Sequence, residues 1–153
     1  MNICILGGGN IGTVLLGDIA ARKKYHVTLF TRKPERWSQE IEVIDLENQK
    51  TEIGKIDEIT NSPEALRKAD MILSTLPSNV FTFMVEMIEQ YIRPGTYLGI
   101  IPGSGGCEFC CRGLIEKGCI VFGFQRVHAI ARIKEYGKSV YATSRKKEVQ
   151  IGA

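Results

Sequence analysis

The sequence predicts an α/β protein, with a doubly wound parallel sheet followed by a short antiparallel meander. Three observations lead to this fold class. Short apolar runs alternate with amphipathic helical segments up to Gly123, which is the pattern of repeated βαβ units. A glycine-rich turn joins the first apolar run to the first helical segment. After Gly123 come three short β-like runs with no helix between them. We expect one domain in the 153 residues, with a parallel core over 1–123 and an antiparallel extension over 124–153.

The N-terminal elements follow from hydrophobic periodicity. Asn2–Leu6 is a short apolar run, as expected of a strand that is buried on both faces. Asn10–Arg22 carries apolar residues at helical spacing and predicts an amphipathic helix. Val27–Phe30 predicts the second strand. Glu40–Ile44 and Glu52–Ile56 show some alternation of apolar and polar residues, so they predict two strands on either side of a polar turn.

Start signals, apolar runs and turns predict the central and C-terminal elements. Ser62 is expected to be the N-cap of a helix that has Pro63 at its first position and ends near Asp70. The other core elements are strand Met71–Thr75, helix Asn79–Tyr91, strand Tyr97–Ile101, a helix through the cysteines to Lys117, and strand Cys119–Phe122. An antiparallel meander at the edge of the sheet is predicted by the runs Val127–Ile133, Ser139–Thr143 and Glu148–Ile151.

Composition excludes several classes of protein. Lys and Arg number 20 against 17 Asp and Glu, so the formal net charge is +3, and no Lys/Arg-rich block indicates nucleic acid as a partner. No apolar run approaches the roughly 20 residues that span a bilayer, so we expect no membrane segment. The start of the chain shows no basic leader and no cleavage site, which makes a cytoplasmic protein the expectation.

The five cysteines indicate reduced thiols rather than a disulfide framework, because their number is odd and no secretory signal precedes them. Cys107, Cys110 and Cys111 cluster as metal ligands sometimes do, but no second cysteine or histidine pair lies at zinc spacing. Together with Leu114 they fall at i, i+3, i+4 and i+7, which is the spacing of an apolar helix stripe. We therefore expect structural thiols and no metal site.

The segment from Gly7 to Gly12 carries the main functional signal. Gly7, Gly9 and Gly12 satisfy G-x-G-x-x-G between a predicted strand and a predicted helix, which is the context of a Rossmann dinucleotide-binding site. There the first glycine permits the tight turn, the second admits a pyrophosphate to the backbone, and the third lets helix and strand pack closely. The backbone N–H groups of Asn10 and Ile11 are expected to face the anion. The alternative is a glycine-rich turn without a ligand.

The residues after the second predicted strand favour NADP(H) over NAD(H). In NAD sites an acidic residue about 20 positions beyond the glycine motif binds the ribose 2′-hydroxyl. Arg32 occupies that region here, and Thr31, Lys33 and Arg36 lie close to it. A guanidinium can pair bidentately with a 2′-phosphate, which a carboxylate would repel. Glu35 is the nearest acid and a poor substitute. A solvated basic loop is the alternative interpretation.

Two other loops follow predicted strands at the edge where doubly wound sheets bind ligands. The first is expected beside the nicotinamide ribose and the second near the reacting ring, although either could be an ordinary turn. The candidate contacts in them are Leu76, Pro77, Ser78, Pro102 and Gly103.

Candidates for acid–base chemistry are few. His26 begins the second strand at the end away from this edge, and His128 lies in the meander, so we expect both to be structural. Gln125 and Arg126 follow the last parallel strand and could meet a carboxylate substrate.

Several segments together resemble the octopine/nopaline (opine) dehydrogenases. They are Gly7–Asn10, Thr28–Phe30 followed by Glu35–Trp37, Leu76–Ser78, Ile101–Gly106 and the especially similar tail Arg132–Val140. The resemblance covers essentially the whole chain. The tail and the Pro-Gly-Ser-Gly-Gly loop carry it, because the glycine motif is common to many dinucleotide-binding proteins.

This resemblance implies reductive condensation of an amino acid with a 2-oxo acid, with hydride delivered from NAD(P)H. Members of the family have their catalytic His–Asp pair in a helical C-terminal domain, which we expect to be absent here, while Gln125 is similar to a substrate-facing position. The chain is thus expected to bind cofactor without turnover. One alternative is a protein that senses the nicotinamide pool and forms homo-oligomers. It would do so through the face that the C-terminal domain covers in the family. Another is a ketopantoate- or glycerol-phosphate-type reductase, against which the antiparallel tail argues.

Overall fold

Eleven strands and five α-helices make up the chain, and the computed structural model describes all 153 residues. In chain order the strands are β1 Asn2–Leu6, β2 His26–Phe30, β3 Glu40–Asp45, β4 Lys50–Lys55, β5 Glu58–Thr60, β6 Met71–Ser74, β7 Tyr97–Ile100, β8 Ile120–Phe124, β9 Ala129–Glu135, β10 Ser139–Arg145 and β11 Ile151–Gly152. The helices are α1 Asn10–Ala21, α2 Glu64–Lys68, α3 Phe81–Glu89, α4 Cys107–Cys110 and α5 Arg112–Glu116.

A seven-stranded sheet forms the centre of the fold, in the order β11-β8-β7-β6-β1-β2-β5. Six of its strands are parallel, and β11 alone is antiparallel to its neighbour β8. From β1 the chain first builds outward to β5 and then returns to build outward to β8, which is the doubly wound arrangement. The predicted fold class is confirmed.

The first helix agrees with its prediction to within one residue, and two later helices begin later than predicted. The expected helix Asn79–Tyr91 starts as a 3₁₀ turn over Ser78–Val80 before α3. Ser62 is not the N-cap of α2, because Pro63 takes that position, already has helical dihedral angles, and receives no side-chain cap. Ser62 contributes its backbone carbonyl instead, which accepts from the N–H of Ala65.

The single helix predicted through the cysteines is wrong. Cys111 has φ −87° and ψ 5°, and this break separates α4 from α5. The expected apolar stripe therefore holds only in part. Cys111 and Leu114 are buried, whereas Cys107 is half-buried and Cys110 is exposed.

A second sheet, in the order β4-β3-β10-β9, packs on α1. β3 and β4 form an antiparallel hairpin across the predicted polar turn, and β9 and β10 form another. β10 also pairs with β3, in the parallel direction. The C-terminal strands are antiparallel as expected, but their predicted place at the edge of the main sheet is wrong for all except β11.

Burial of apolar side chains explains the position of the second sheet. Val43 of β3 and Val140 of β10 are buried in the same cluster as Val14 and Leu16 of α1. Gly54 of β4 lies so close to α1 that a Cβ on it would overlap a backbone carbonyl of the helix. A hairpin added to the edge of the main sheet would leave this apolar face in water, so packing on α1 is favoured.

The opposite face of the main sheet is covered by α2, α3 and α5. Their buried residues Leu66, Met84, Ile88 and Leu114 form a second apolar cluster with side chains of the central strands. The parallel sheet thus has both faces covered, as its continuous apolar strands require. None of the helices is both long enough and apolar enough to cross a membrane.

A cluster of charged side chains joins the second sheet to α1. Arg145 of β10 donates to both carboxylate oxygens of Asp18 on α1 and, through Nε at 2.9 Å, to Asp45 of β3. His128 Nε2 lies 3.2 Å from Asp18 Oδ2. Asp45 also accepts hydrogen bonds from the backbone N–H and the side-chain amide of Asn48. The hairpin turn after β3 and the end of β10 are thereby linked to the helix.

We expect this cluster to make the protein less stable in acid. Hydrogen bonds from Asn48, and after them those from Arg145, lower the pKa of Asp45 from 3.8 to about 2. Burial would raise the pKa of Asp18, but His128 and Arg145 outweigh it and lower that pKa below its usual value. Because both pKa values are lower in the folded protein, the stabilisation is present above about pH 4 and is lost as the pH falls toward about 2. Asp45 contributes about 2 kcal/mol of it.

Urea unfolding of the wild type and Asn48→Ala between about pH 6 and pH 2 measures this dependence. The variant should lose part of the acid-dependent slope, because Asp45 then loses the hydrogen bond from the side-chain amide of Asn48, while the backbone N–H of residue 48 still donates to it. Asn61→Ala, at an exposed position outside the cluster, is the matched control. Identical slopes for the wild type and Asn48→Ala would contradict the role given to Asp45.

Candidate functional site

The carboxyl ends of the parallel strands form one edge of the main sheet, here called the carboxyl edge. Leu6 of β1 is in register with Phe30 of β2 and Ser74 of β6. Ser74 is in register with Ile100 of β7, which in turn pairs with Gly123 of β8. The segments that follow these strands therefore meet along this edge. They contain every candidate binding residue from the sequence: Gly7, Gly9, Asn10, Ile11, Gly12, Thr31, Arg32, Lys33, Arg36, Leu76, Pro77, Ser78, Pro102, Gly103, Gln125 and Arg126.

Glycines shape the turn between β1 and α1. Gly7 has φ +108°, and a Cβ there would lie 2.6 Å from Oγ1 of Thr75. A Cβ on Gly12 would overlap the carbonyl oxygen of Gly7, so the close approach of α1 to β1 depends on this residue. Gly9 differs, because no atom lies within 4 Å of the position its Cβ would take. The space at Gly9 is open, as access by an incoming group requires.

The N-terminus of α1 meets this open space with uncapped N–H groups. Its N-cap residue is Gly9, no side chain accepts from the N–H groups, and the first turn contains no acid. Thr13 Oγ1 donates to the Gly9 carbonyl at 2.8 Å. The Asn10 side chain is engaged elsewhere, because its Oδ1 accepts from the backbone N–H of Ile133 in β9 at 2.8 Å. The free N–H groups of the first turn, those of Asn10 and Ile11 included, and the helix dipole together suit an anionic group.

The segment after β2 presents cations at the same edge. Arg32 and Lys33 are exposed and take part in no ion pair. Thr31 is fixed by its N–H, which donates at 2.9 Å to the carbonyl at the end of β5. The Arg36 guanidinium lies 4.7 Å from the centroid of the Tyr136 ring, in a cation–π contact. Positive charge at this edge is therefore available to a ligand.

Trp37 is a residue of this region to which the sequence analysis gave no role in the site. Its indole lies against Gly8, where a Cβ would overlap the ring, and its Nε1 is buried without a hydrogen-bond partner. It packs edge-on against Tyr136, with ring centroids 5.3 Å apart, and the next residue, Ser38, donates from its N–H to the carbonyl of Gly137 at 2.8 Å. The available signals were that the chain has a single tryptophan and that it lies in the Glu35–Trp37 segment of the family resemblance. No local pattern reveals a contact between segments so far apart in sequence.

The remaining candidate loops are open along the carboxyl edge. Thr75 donates from both its N–H and its hydroxyl to the carbonyl at the end of β1, at 2.9 and 3.1 Å, and the following Pro77 and Ser78 are exposed. Gly103 is exposed and donates at 2.8 Å to the carbonyl at the end of β8. Gln125 is also exposed, and its N–H donates to the carbonyl of the residue before β11 at 2.9 Å.

Neither histidine lies at the carboxyl edge. His26 begins β2 at the opposite edge, 3.8 Å from Asp57, and His128 is engaged with Asp18. A cleft of about 310 Å³ opens at that opposite edge, between α2 and the first residues of β1 and β2, and Glu58 is among its lining residues. No group of three or more His, Cys, Asp or Glu side chains is arranged to hold a metal ion. The chemistry of the carboxyl edge is thus that of N–H donors, cations and exposed loops.

Comparison with known proteins identifies the family. Residues 3–102 match the family described as ketopantoate reductase PanE/ApbA. Octopine dehydrogenase of Pecten maximus is 30% identical over a match that covers 92% of this chain, and tauropine dehydrogenase of Arabella iricolor is 30% identical over 90% of it. These matches cover 39% and 38% of the relatives, so the chain spans about two fifths of their length. The family match over residues 3–102 supports the relationship to the ketopantoate reductases that was considered as an alternative. The antiparallel tail, which argued against that alternative, lies outside the matched residues.

A solved structure of octopine dehydrogenase with NADH and L-arginine shares the fold. It superimposes on 99% of this chain with a TM-score of 0.92 and 27% identity, and the match covers 41% of that protein. Such coverage includes both sheets and all five helices, so the packing of the second sheet on α1 is common to the two proteins. The resemblance to the opine dehydrogenases is confirmed. This chain belongs to the ketopantoate reductase PanE/ApbA family and corresponds to the N-terminal nucleotide-binding domain of the opine dehydrogenases.

Proposed function

We propose that this chain binds a nicotinamide dinucleotide along the carboxyl edge, with the pyrophosphate on the glycine turn. The observation that carries the proposal is the uncapped N-terminus of α1 beside the open space at Gly9. The N–H groups of Asn10 and Ile11 would donate to the phosphate oxygens. Gly7 and Gly12 would keep the turn close to β1, and the dipole of α1 would favour the negative charge.

The rest of the dinucleotide would follow the carboxyl edge toward β8. The Leu76–Ser78 segment would contact the nicotinamide ribose, and Pro102 and Gly103 would border the ring. Gln125, exposed just beyond β8, would face the substrate. The nicotinamide supplies the hydride when bound, and the residues of this chain hold it in place along the edge.

We further propose that the chain prefers NADP(H) to NAD(H). The related octopine dehydrogenase holds NADH, so a preference for the 2′-phosphate rests on the cations of this chain itself. Arg32 and Lys33 are exposed and free of ion pairs, and Arg36 is supported by an aromatic ring. A hydrogen bond to a charged group contributes about 1.5–3 kcal/mol, enough to decide between the two nucleotides. Thr31 could add a hydroxyl donor.

For the whole reaction we propose reductive condensation of an amino acid with a 2-oxo acid. Octopine dehydrogenase has been solved with L-arginine and with pyruvate. The chain spans about two fifths of such proteins, and both of its imidazoles lie away from the carboxyl edge. Proton transfer would thus fall to residues outside the matched domain. The free cysteines agree with the cytoplasmic location that we propose.

Replacement of Gly9 by valine tests the pyrophosphate site. A Cβ at this position would meet no atom within 4 Å, so the side chain would extend into the open space, and φ −79° with ψ −170° suits valine. We expect the affinity for NADPH to fall at least about tenfold, or ~1.4 kcal/mol. The free energy of unfolding should change by less than about 1 kcal/mol. Quenching of Trp37 fluorescence measures binding, and urea unfolding measures stability.

The control for Gly9→Val is Gly152→Val, because that position on β11 is equally open but distant from the glycine turn. It should bind NADPH as the wild type does. If Gly9→Val bound NADPH with unchanged affinity, the pyrophosphate would not bind at this turn.

Arg32→Glu tests the cofactor preference. The wild type should bind NADPH more tightly than NADH. The variant should bind NADPH about 10–100-fold more weakly, because it replaces a charge-assisted pair with a repelling carboxylate, and NADH should be affected far less. Thermal-shift titrations with both nucleotides measure the two affinities. Lys24→Glu makes the same change of charge at an exposed position near the opposite edge. Equal binding of NADPH and NADH by the wild type would disprove the preference.

Cofactor binding without turnover is the expected behaviour of this chain on its own. With NADPH, L-arginine and pyruvate, the absorbance of NADPH should not fall faster than in a protein-free control, although NADPH should raise the unfolding temperature. The reason is that no imidazole lies near the carboxyl edge to transfer a proton. Sustained oxidation of NADPH that depends on both substrates would contradict this part of the proposal and leave cofactor binding untouched.

A further inference from the structure

The five cysteines fall into two groups by accessibility. Cys4, Cys111 and Cys119 are buried, whereas Cys107 is half-buried and Cys110 is exposed. Burial raises the pKa of Cys4 and Cys111 to about 12 and also raises that of Cys119. Since the thiolate is the reactive form, the three buried groups are inert thiols at neutral pH. The two remaining thiols are separated by only two residues.

Cys107 and Cys110 are the first and last residues of α4 and lie on one helical turn. Side chains at i and i+3 have Cβ atoms about 5–6 Å apart, and a disulfide needs about 3.5–4.5 Å. The turn is bounded by Gly106, which has φ +86°, and by Cys111, which leaves helical geometry. To form a disulfide, the two Cβ atoms would have to move about 1–2 Å closer together. Only the single turn of α4 would have to change its backbone for this, rather than a long helix.

A hydroxyl also lies beside the more exposed thiol. Thr82 Oγ1 of α3 is 3.9 Å from Cys110 Sγ, a distance at which the hydroxyl can donate to sulfur. The dinucleotide site proposed above uses neither Cys107 nor Cys110.

We propose that Cys107 and Cys110 form a reversible dithiol–disulfide pair that exchanges with a low-molecular-weight disulfide such as glutathione disulfide. Their spacing, C-x-x-C in an α/β protein, is the spacing of redox-active thiols. The structure adds that these are the two accessible thiols of the chain and that they share one short turn.

Two exchange steps complete the oxidation. The Cys110 thiolate attacks one sulfur of glutathione disulfide, which forms a mixed disulfide and releases one glutathione thiolate. The Cys107 thiolate then attacks the Cys110 sulfur, closes the internal disulfide and releases the second glutathione. Two protein thiols are oxidised, one glutathione disulfide is reduced to two glutathione molecules, and the two thiol protons pass to these. Excess reduced glutathione reverses both steps.

Thiol counting in glutathione buffers tests the proposal on the full chain. The protein is equilibrated from fully reduced to fully oxidised glutathione, quenched with acid, unfolded, alkylated with a maleimide and weighed by mass spectrometry. We expect five alkylated thiols at the reduced end, and the loss of two in a single transition. Proteolysis after Glu108 separates the two cysteines, so the fragments should stay joined only in the oxidised protein.

Variants assign the transition to particular thiols. Cys107→Ser should stop at a glutathione adduct on Cys110, and Cys110→Ser should lose the transition. Cys119→Ala removes a buried thiol and should retain the transition, with one fewer alkylated group. Thermal unfolding of each reduced variant confirms that it folds. The proposal is overturned if five thiols remain alkylated throughout, if the wild type stops at a glutathione adduct, or if the disulfide joins two chains.

Discussion

The close packing of α1 against β1 is the constraint on which the rest of the structure depends. Gly12 lies against the carbonyl of Gly7, where any side chain would overlap it. This contact holds the first turn of α1 at the carboxyl edge with its N–H groups unused. It also sets the position of the helix on which the second sheet packs. A larger residue in place of Gly12 would displace both the proposed anion site and the second sheet that packs on α1.

The second sheet covers α1, so that this helix is buried, and it also contacts residues at the carboxyl edge. The backbone N–H of Ile133 in β9 donates to Oδ1 of Asn10 and so holds this side chain against the second sheet. The turn after β9 supports the segment after β2, because Tyr136 contacts both Arg36 and Trp37. A residue of the C-terminal hairpin thus positions one of the cations that follow the second strand, Arg36. This long-range support gives a physical reason why the tail resembles the opine dehydrogenases as clearly as the glycine turn does.

The features that sequence predicted well are those fixed by local geometry. β1 and α1 agree with the structure within one residue because burial and helical spacing define both, and Gly7 and Gly12 each have a steric reason for their place in the motif. The packing of the β9–β10 hairpin on α1 could not be predicted. The alternation of apolar and polar residues shows that a strand has an apolar face, but it does not show which element covers that face. The cysteine stripe failed because its spacing assumes a continuous helix, and the break at Cys111 leaves Cys110 exposed. Trp37 was missed because its contacts are distant in sequence.

The pattern G-x-G-x-x-G combines two kinds of constraint that the structure separates. Gly7 and Gly12 are required by the packing of the chain itself, and they would be needed if nothing were ever bound. If replacement of Gly7 or Gly12 abolished cofactor binding, the cause would be ambiguous, because the new side chain would already distort the turn between β1 and α1. Gly9 has ordinary extended dihedral angles and no neighbour within 4 Å of a Cβ, so nothing in the chain requires a glycine there. The proposed pyrophosphate would give a glycine at this position a purpose beyond its place as the N-cap of α1, so the open position tests that proposal more directly than the two crowded ones do.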